Sequence, residues 1–499
     1  MLLLFALGCG AGTGGSPASD SPVAPADSSA DSPDDSPADS PVDTDTPGST
    51  SNCDAGDSLP CPLADGDVRY TTAVEGADAG HQVSGAGDIN ADGYADLLVG
   101  APSSSSNGPG AAYLVLGGAA PGSIGLGEAD ATYLGEAAED GAGLAVSKAG
   151  DVNADGYGDL LVGARHNDEG GDLAGAVYLV LGTASPASQA LSGAAAKYTG
   201  VSHDDYAGTS VAAAGDVNDD GYDDVLVGSF QWFEEGDGAG AAYLILGGSV
   251  PRSGSLALAD ALYTGAANVG RSVSGAGDVD ADGYDDMLIG APLSWTSPEG
   301  EHGAAHLMLG GSLPGSAAVS AADASYLGEA DRDSAGCAVA GVGDLNGDGY
   351  DDMLIGAVYN DRGGASSGAA FLVLGAAAPG SRDLSLADAQ YTGEAEYSLA
   401  GFSVAGAGDY DNDGFDDLLV GAPGYSTGYA YLVLGAASPT PSALLAADER
   451  YLGEAVDDQA GFSVSGAGDV DADGDSDVLI SANTTAEGGT VYLFFGVPR

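Results

Sequence analysis

Residues 275–292 read GAGDVDADGYDDMLIGAP, and this stretch decides the fold. Asp278, Asp280, Asp282, Asp285 and Asp286 crowd into nine residues, between a Gly/Ala run and the apolar Met287-Leu288-Ile289. Like charges at this density repel one another. The chain nevertheless builds such a segment seven times, with its leading aspartate at 88, 151, 216, 278, 344, 409 and 469. Two other markers keep the same step of 60–66 residues. One is a tyrosine followed by Leu or Thr, at Tyr70, Tyr133, Tyr198, Tyr263, Tyr326, Tyr391 and Tyr451. The other is GAVYLVLG at 175–182, which returns in altered form at 110, 240, 303, 368, 428 and 489. Seven units fill residues 67–499.

Each unit offers four short strand candidates. In the fourth they are LYTGA near 262, RSVSGAG near 271, DMLIGA near 286 and AAHLMLG near 304. Short apolar runs bounded by Gly, Pro and Asp favour strands over helices. The pattern predicts an all-β chain, a seven-bladed β-propeller with four-stranded blades. The last unit stops after GTVYLFFG and lacks a fourth strand, whereas the first begins with an extra one, VRYTTAV at 68–74. Pairing the two closes the ring and covers an exposed edge.

The acidic segments have the chemistry of a cation cage. Side chains at positions 1, 3, 5 and 9 converge on a tight turn, a glycine at position 6 permits the bend, and position 7 offers a backbone carbonyl. The sets are Asp88, Asn90, Asp92, Tyr94 and Asp96; Asp151, Asn153, Asp155, Tyr157 and Asp159; Asp216, Asn218, Asp220, Tyr222 and Asp224; and Asp278, Asp280, Asp282, Tyr284 and Asp286. They continue with Asp344, Asn346, Asp348, Tyr350 and Asp352; Asp409, Asp411, Asp413, Phe415 and Asp417; and Asp469, Asp471, Asp473, Asp475 and Asp477. Hard oxygens in this number suit Ca²⁺, which takes six to eight of them, better than Mg²⁺, which holds its waters. Up to seven Ca²⁺ are expected. An EF-hand is excluded, because its twelfth position needs a glutamate between helices and here falls on Val99, Ile289 or their equivalents inside an apolar strand. A metal-free Asx-rich turn is the alternative for any single loop.

The formal charge is −64, with 75 acidic against 11 basic residues and two lysines, Lys148 and Lys197. Such a surface repels nucleic acid and anionic lipid. The start, MLLLFALGCG, reads as a bacterial lipoprotein signal over residues 1–8, with Cys9 as the lipidated residue. Residues 9–66 are rich in Ser, Pro, Ala, Gly and Asp and read as a disordered tether. Cys53 and Cys61 near its end are expected to form a disulfide in an exported protein, and Cys337 to be a buried thiol.

Gly-Phe-Ser-Val at 401 and 461, with Gly-Ala-Pro at 100, 290 and 421, resembles the FG-GAP repeat. The resemblance covers residues 67 to about 499 and implies the propeller of integrin α-subunits and many bacterial surface proteins. The words degrade elsewhere: His81, Leu144, Thr209, Arg271 or Cys337 replaces the Phe, and Gly-Ala-Arg at 163 or Gly-Ser-Phe at 228 replaces Gly-Ala-Pro. The resemblance implies calcium hairpins on one face of the disc and ligand contacts on the other. Phe230, Trp232, Phe233 and Trp295 fall in loops of that second face, where they form a candidate aromatic patch for a protein or glycan, or else plug gaps between blades. The segments 166–172 (HNDEGGD) and 203–205 (HDD) read either as solvated loops or as a second metal site.

The expected function is a non-catalytic, calcium-stabilised adhesion or ligand-binding propeller. It is expected to be monomeric, with no nucleic-acid partner, and to meet the membrane only through a lipid anchor at the bacterial cell envelope. A secreted enzyme acting on polysaccharide is the alternative.

Overall fold

The computed structural model describes residues 60–72, 77–102, 108–230, 239–266, 268–292, 302–424, 427–484 and 488–498. These residues form seven sheets. In the fourth, Ser272–Gly277 pairs with Asp286–Ala291, which pairs with Ala304–Met308, which pairs with Ala324–Leu327, each antiparallel to the last. LYTGA, grouped with this unit in the sequence, lies in Ala261–Ala266 and belongs to the preceding sheet. Sequence repeats and blades are therefore offset by one strand. The offset closes the ring: Val68–Thr71 pairs antiparallel with Thr490–Phe494 and supplies the fourth strand of the last blade.

The blades have five strands rather than the expected four. The fifth is two residues long, runs parallel to the fourth, and comes from the following repeat, as Arg382–Asp383 does beside Tyr326–Leu327. A serine hydroxyl extends this cover in several blades; the Ser325 amide donates to Ser381 Oγ at 2.9 Å. An outer edge is thereby shielded from pairing with another chain. Two residues carry no readable alternation, which hides the strand in the sequence. Cys61–Pro62 plays the same part against Tyr451–Leu452 in the sixth blade. Cys61 is disulfide-bonded, whereas Cys53 and Cys9 lie outside the described residues.

The core is a set of apolar layers between blades. One layer joins Leu288, Leu307 and Tyr326 of the fourth blade to Met353, Ile355 and Phe371 of the fifth. Another joins Tyr70 and Leu493 of the last blade to Val83 and Leu97 of the first. Second strands such as Asp286–Ala291 and Asp417–Ala422 are buried at every residue. Covered on both faces, they read as unbroken apolar runs rather than as alternations. Cys337 is a buried thiol. Among the described residues no helix is long and apolar enough to cross a membrane.

Blade spacing rests on facing glycines. A Cβ on Gly290 would lie 2.1 Å from the carbonyl oxygen of Gly336 in the next blade. The same approach recurs between Gly163 and Gly208 and between Gly421 and Gly461. Gly336 itself has φ +81°, a conformation that side chains disfavour. These are the glycines of the Gly-Ala-Pro and Gly-Phe words. Gly290→Ala is expected to destabilise the fold by about 1–3 kcal/mol through overpacking. A chemical melt showing no shift in midpoint would contradict this account of the glycine pair.

Candidate metal centres

Each acidic segment is a hairpin between the first and second strands of a blade. Residue 4 takes the left-handed conformation, with φ +57° at Ala281 and +56° at Asn412, and Gly283 at position 6 follows with φ +93°. A Cβ on Gly283 would meet nothing within 4 Å, so conformation and not space requires the glycine. The aspartate at position 1 closes the turn. Asp278 Oδ1 accepts from the Asp282 amide at 3.0 Å, and its Oδ2 accepts from the Gly283 amide at 2.9 Å. Asp282 Oδ1 in turn accepts from the Tyr284 amide at 3.0 Å. These bonds recur in the first loop, through Asp88 and Asp92, and in the last, through Asp469 and Asp473.

The aspartate at position 9 is fully buried in every loop, at 0% exposure for Asp96, Asp159, Asp224, Asp286, Asp352, Asp417 and Asp477. Its two oxygens join separate parts of the blade. Asp286 Oδ2 accepts from the Val279 amide at 2.9 Å, and Oδ1 accepts from the Gly310 amide, beyond the third strand, at 2.7 Å. Asp417 repeats this with Tyr410 and Gly435, and Asp477 with Val470 and Gly496. Burial pushes these carboxyls up to about 6 at Asp96 and about 7 at the other six; the backbone donors oppose the rise and neighbouring aspartates add to it.

The donor set fits a hard dication. Asp278, Asp280 and Asp282 bring carboxylate oxygens within 4.8 Å of one another, as do Asp409, Asp411 and Asp417, and Asp469, Asp471 and Asp477. The other four loops have Asn at position 3, whose amide oxygen is also a hard donor. Asn218 Oδ1 and Asp280 Oδ1 are shielded from solvent and meet no hydrogen-bond donor. An atom in that state costs free energy unless something else satisfies it, and a cation would. In the first, second and fifth loops the asparagine is engaged locally instead. Asn90 Nδ2 donates to Asp92 Oδ2 at 2.9 Å, and Asn153 and Asn346 donate likewise to Asp155 and Asp348. At position 7 of the last loop Asp475 is buried and accepts from Asn412 Nδ2 at 2.7 Å.

Position 8 was not singled out by the sequence reading. Asp351 Oδ2 accepts from the Asp278 amide at 2.9 Å, and the Asp351 amide returns a bond to the Asp278 carbonyl at 3.3 Å. Asp223 clamps Asp151 in the same way, Asp285 clamps Asp216, and Asp416 clamps Asp344. Four loop-to-loop contacts thus carry an aspartate clamp; at the other three Ala95, Gly158 and Ser476 stand at position 8 and their amides donate to the carbonyls of Asp469, Asp88 and Asp409. The visible sign was the doubled aspartate at 223–224, 285–286, 351–352 and 416–417.

On the opposite face, Phe230 is buried rather than exposed. Tyr206 stacks on it at 6.2 Å between ring centroids, and the Arg271 guanidinium lies over it at 5.6 Å. Trp232, Phe233 and Trp295 lie outside the described residues. His166 and His203 turn to different partners: His166 Nε2 accepts from Arg165 Nε, whereas His203 lies against Asp172 and Asp204. The segments 166–172 and 203–205 therefore do not share a metal site through their histidines.

The fold and its hairpins define a class: a seven-bladed β-propeller with an acidic hairpin between the first two strands of each blade. Residues 79–115, 142–180, 207–245, 269–298 and 400–433 match the FG-GAP repeat family. The chain is also similar to integrin α-subunits. It is 33% identical over 240 residues to integrin alpha-5 of Xenopus laevis, covering 46% of this chain and 21% of that protein. It is 37% identical over 155 residues to integrin alpha-IIb of Mus musculus, covering 30% and 14%. It is 35% identical over 152 residues to integrin alpha-4 of Xenopus laevis, covering 29% and 14%. The matched part is about a fifth or less of each relative's length.

The raised carboxyls set a pH dependence. In metal-free protein the position-9 aspartates keep protons when folded that they release on unfolding. Stability in chelator should therefore fall as pH rises from about 4 to about 7. Excess Ca²⁺ should reduce or reverse the fall, because a cation favours the ionised carboxylates. Thermal melts across this range check both; a chelated protein equally stable at both ends would contradict the buried-carboxyl account.

Proposed function

We propose that this chain is a calcium-loaded, non-catalytic propeller that binds a ligand through the face opposite its acidic hairpins. The observation that carries the reading is the acidic loop repeated seven times, with carboxylate oxygens converging in the fourth, sixth and seventh copies, in a fold related to integrin α-subunits. Positions 1, 3, 5 and 9 would hold each ion, with the position-7 carbonyl beside them. Calcium would offset the mutual repulsion of the aspartates and fix the hairpins that tie blade to blade. Residues 67–499 would carry the seven repeats of this one domain, to which Cys61–Pro62 adds an edge strand and Leu63 a core side chain, so that the tether expected over 9–66 would end before Cys61. Residues 1–8 would be the signal, Cys9 the lipidated residue, and a Cys53–Cys61 disulfide would join the tether to the propeller. The whole would display a monomeric propeller at a bacterial cell envelope, with Trp232, Phe233 and Trp295 as candidate ligand contacts. Its partner would be a protein or glycan.

Calcium binding alone to the folded state stabilises by mass action. Excess Ca²⁺ should raise the melting temperature well above that in chelator, with close to seven ions per chain by elemental analysis. Asp282→Ala should remove about one ion and lower the calcium-saturated melt. No bound calcium and no stabilisation would overturn the reading.

The loops should also fall into two classes, because affinity follows the charge of the ligand set. The fourth, sixth and seventh loops have Asp at position 3, through Asp280, Asp411 and Asp471; the other four have Asn. A calcium titration should show three tighter sites and four weaker ones. Asn218→Asp should move one site from the weaker class to the tighter, and an unchanged titration would contradict this ordering.

A further inference from the structure

The first strands of all seven blades line a central channel with a cavity volume of about 490 Å³. Its wall is mostly small and apolar. Each first strand gives it one valine at the same position, from Val83 in the first blade to Val464 in the last. Ser84, Ser147, Ser274 and Ser465 stand beside them, and their hydroxyls donate to carbonyls of their own strands at 2.7–2.8 Å. The hydroxyl hydrogens are thus committed within the wall.

One residue breaks the pattern of the wall. Two positions after the valine the first strands carry Gly85, Gly275, Gly341, Gly406 and Gly466, with Ala213 in the third blade, but the second blade has Lys148. Lys148 is exposed in an otherwise largely buried strand, Ala142–Gly150, and its exposure is to the channel. It is the one cation among the residues lining that wall, and Asp416 is the one carboxylate. Asp416 Oδ2 already accepts from the Asp344 amide at 2.9 Å. Among the described residues Lys148 pairs with no acidic side chain. The other lysine is the opposite case. Lys197 meets Glu136 at 2.6 Å, meets Glu169 as well, and lies over the Tyr178 ring. A chain with 75 acidic residues thus leaves one of its two ammonium groups, with three N–H donors, facing a concave space without a counter-ion from the wall.

We propose that the central channel binds a small organic monoanion, a free carboxylate with a short apolar body, whose charged end pairs with the Lys148 ammonium and whose body lies against the ring of valines. An ammonium–carboxylate hydrogen bond is charge-assisted, and in a channel it is screened less than on the open surface. The single cation sets the charge of the ligand. A second negative charge would find no second cation on the wall and would approach Asp416 in a chain of net charge −64. The valines set its body: a wall that is apolar apart from a few polar groups suits a ligand with one charged end. The site lies inside the ring rather than on the face assigned to a macromolecular partner, so it goes beyond that reading and does not depend on it.

Its test uses the full chain in excess Ca²⁺, carrying isotope-labelled lysine so that Lys148 and Lys197 alone report by magnetic resonance. Hexanoate, its neutral counterpart hexanamide, and sulfate are titrated separately, with calorimetry alongside. Hexanoate is expected to bind once per chain, to move the Lys148 signal and to leave the Lys197 signal in place. It should bind about tenfold tighter than hexanamide, as one charge-assisted contact implies, and tighter than sulfate. Lys148→Met should bring hexanoate down to the level of hexanamide, while Lys148→Arg retains the preference. Lys148→Gly restores the residue of five other blades and should act as Lys148→Met does. No movement of the Lys148 signal, equal movement of both lysines, equal binding of hexanoate and hexanamide, tighter binding of sulfate, or a hexanoate preference that survives Lys148→Met would overturn the proposal. The titrations of the unaltered protein do not depend on the folding of any variant. Their failure with calcium stoichiometry and calcium-dependent melting intact would overturn this inference and leave the calcium-propeller reading standing.

Discussion

Seven buried aspartates hold each blade to its own hairpin. A carboxylate without solvent is costly unless hydrogen bonds satisfy it. Here each oxygen takes one backbone amide, one from the second residue of the loop and one from the glycine beyond the third strand. The side chain thereby fixes where the second strand begins and where the third one ends. Its charge lies beside two or three further carboxylates, so the group that organises the blade also sets the electrostatic problem that a cation would relieve. Blade structure and the crowding of negative charge are thus linked through one residue type rather than laid side by side.

Between blades the constraint is steric on one side of the disc and polar on the other. Where Gly290 faces Gly336, backbone meets backbone with no room for a methyl group. Where Asp351 faces Asp278, reciprocal hydrogen bonds join adjacent hairpins. The apolar layers between them are continuous, and they are made of paired blades rather than of single ones. An isolated blade would leave both its faces bare, so the closed ring is the smallest unit that buries them all.

The sevenfold architecture, the hairpin loops and the closing strand were legible in the sequence because each rests on a local word repeated many times. What escaped was short, singular or dependent on a neighbour. The two-residue fifth strand has no period to read. The position-8 aspartates act on the next blade, so their role appears only when Asp351 is seen against Asp278. The sequence left Phe230 between an exposed aromatic patch and a plug between blades; Tyr206 and Arg271 from flanking segments cover it, as the second requires. Lys148 read only as one of two lysines in an acidic chain; its place on the channel wall is a property of the ring and not of its own repeat.

The closing strand has a consequence for how the chain is made. Phe495 donates to Asp67 across 428 residues, and Val68–Thr71, covered on its outer edge by Ile124–Gly125, finds its antiparallel partner only in Thr490–Phe494. On a ribosome that strand emerges before any whole blade and waits until almost all the rest has been synthesised. Contacts so distant along the chain form late and slowly, and an unpaired edge in the meantime is open to wrong pairing. The acidic hairpins are the opposite case, complete within nine residues as soon as they appear. Birth order therefore separates two kinds of assembly: each hairpin draws its bonds from within its own blade or the next, whereas the disc is finished in one final event that joins a strand from the start of the ring to the youngest.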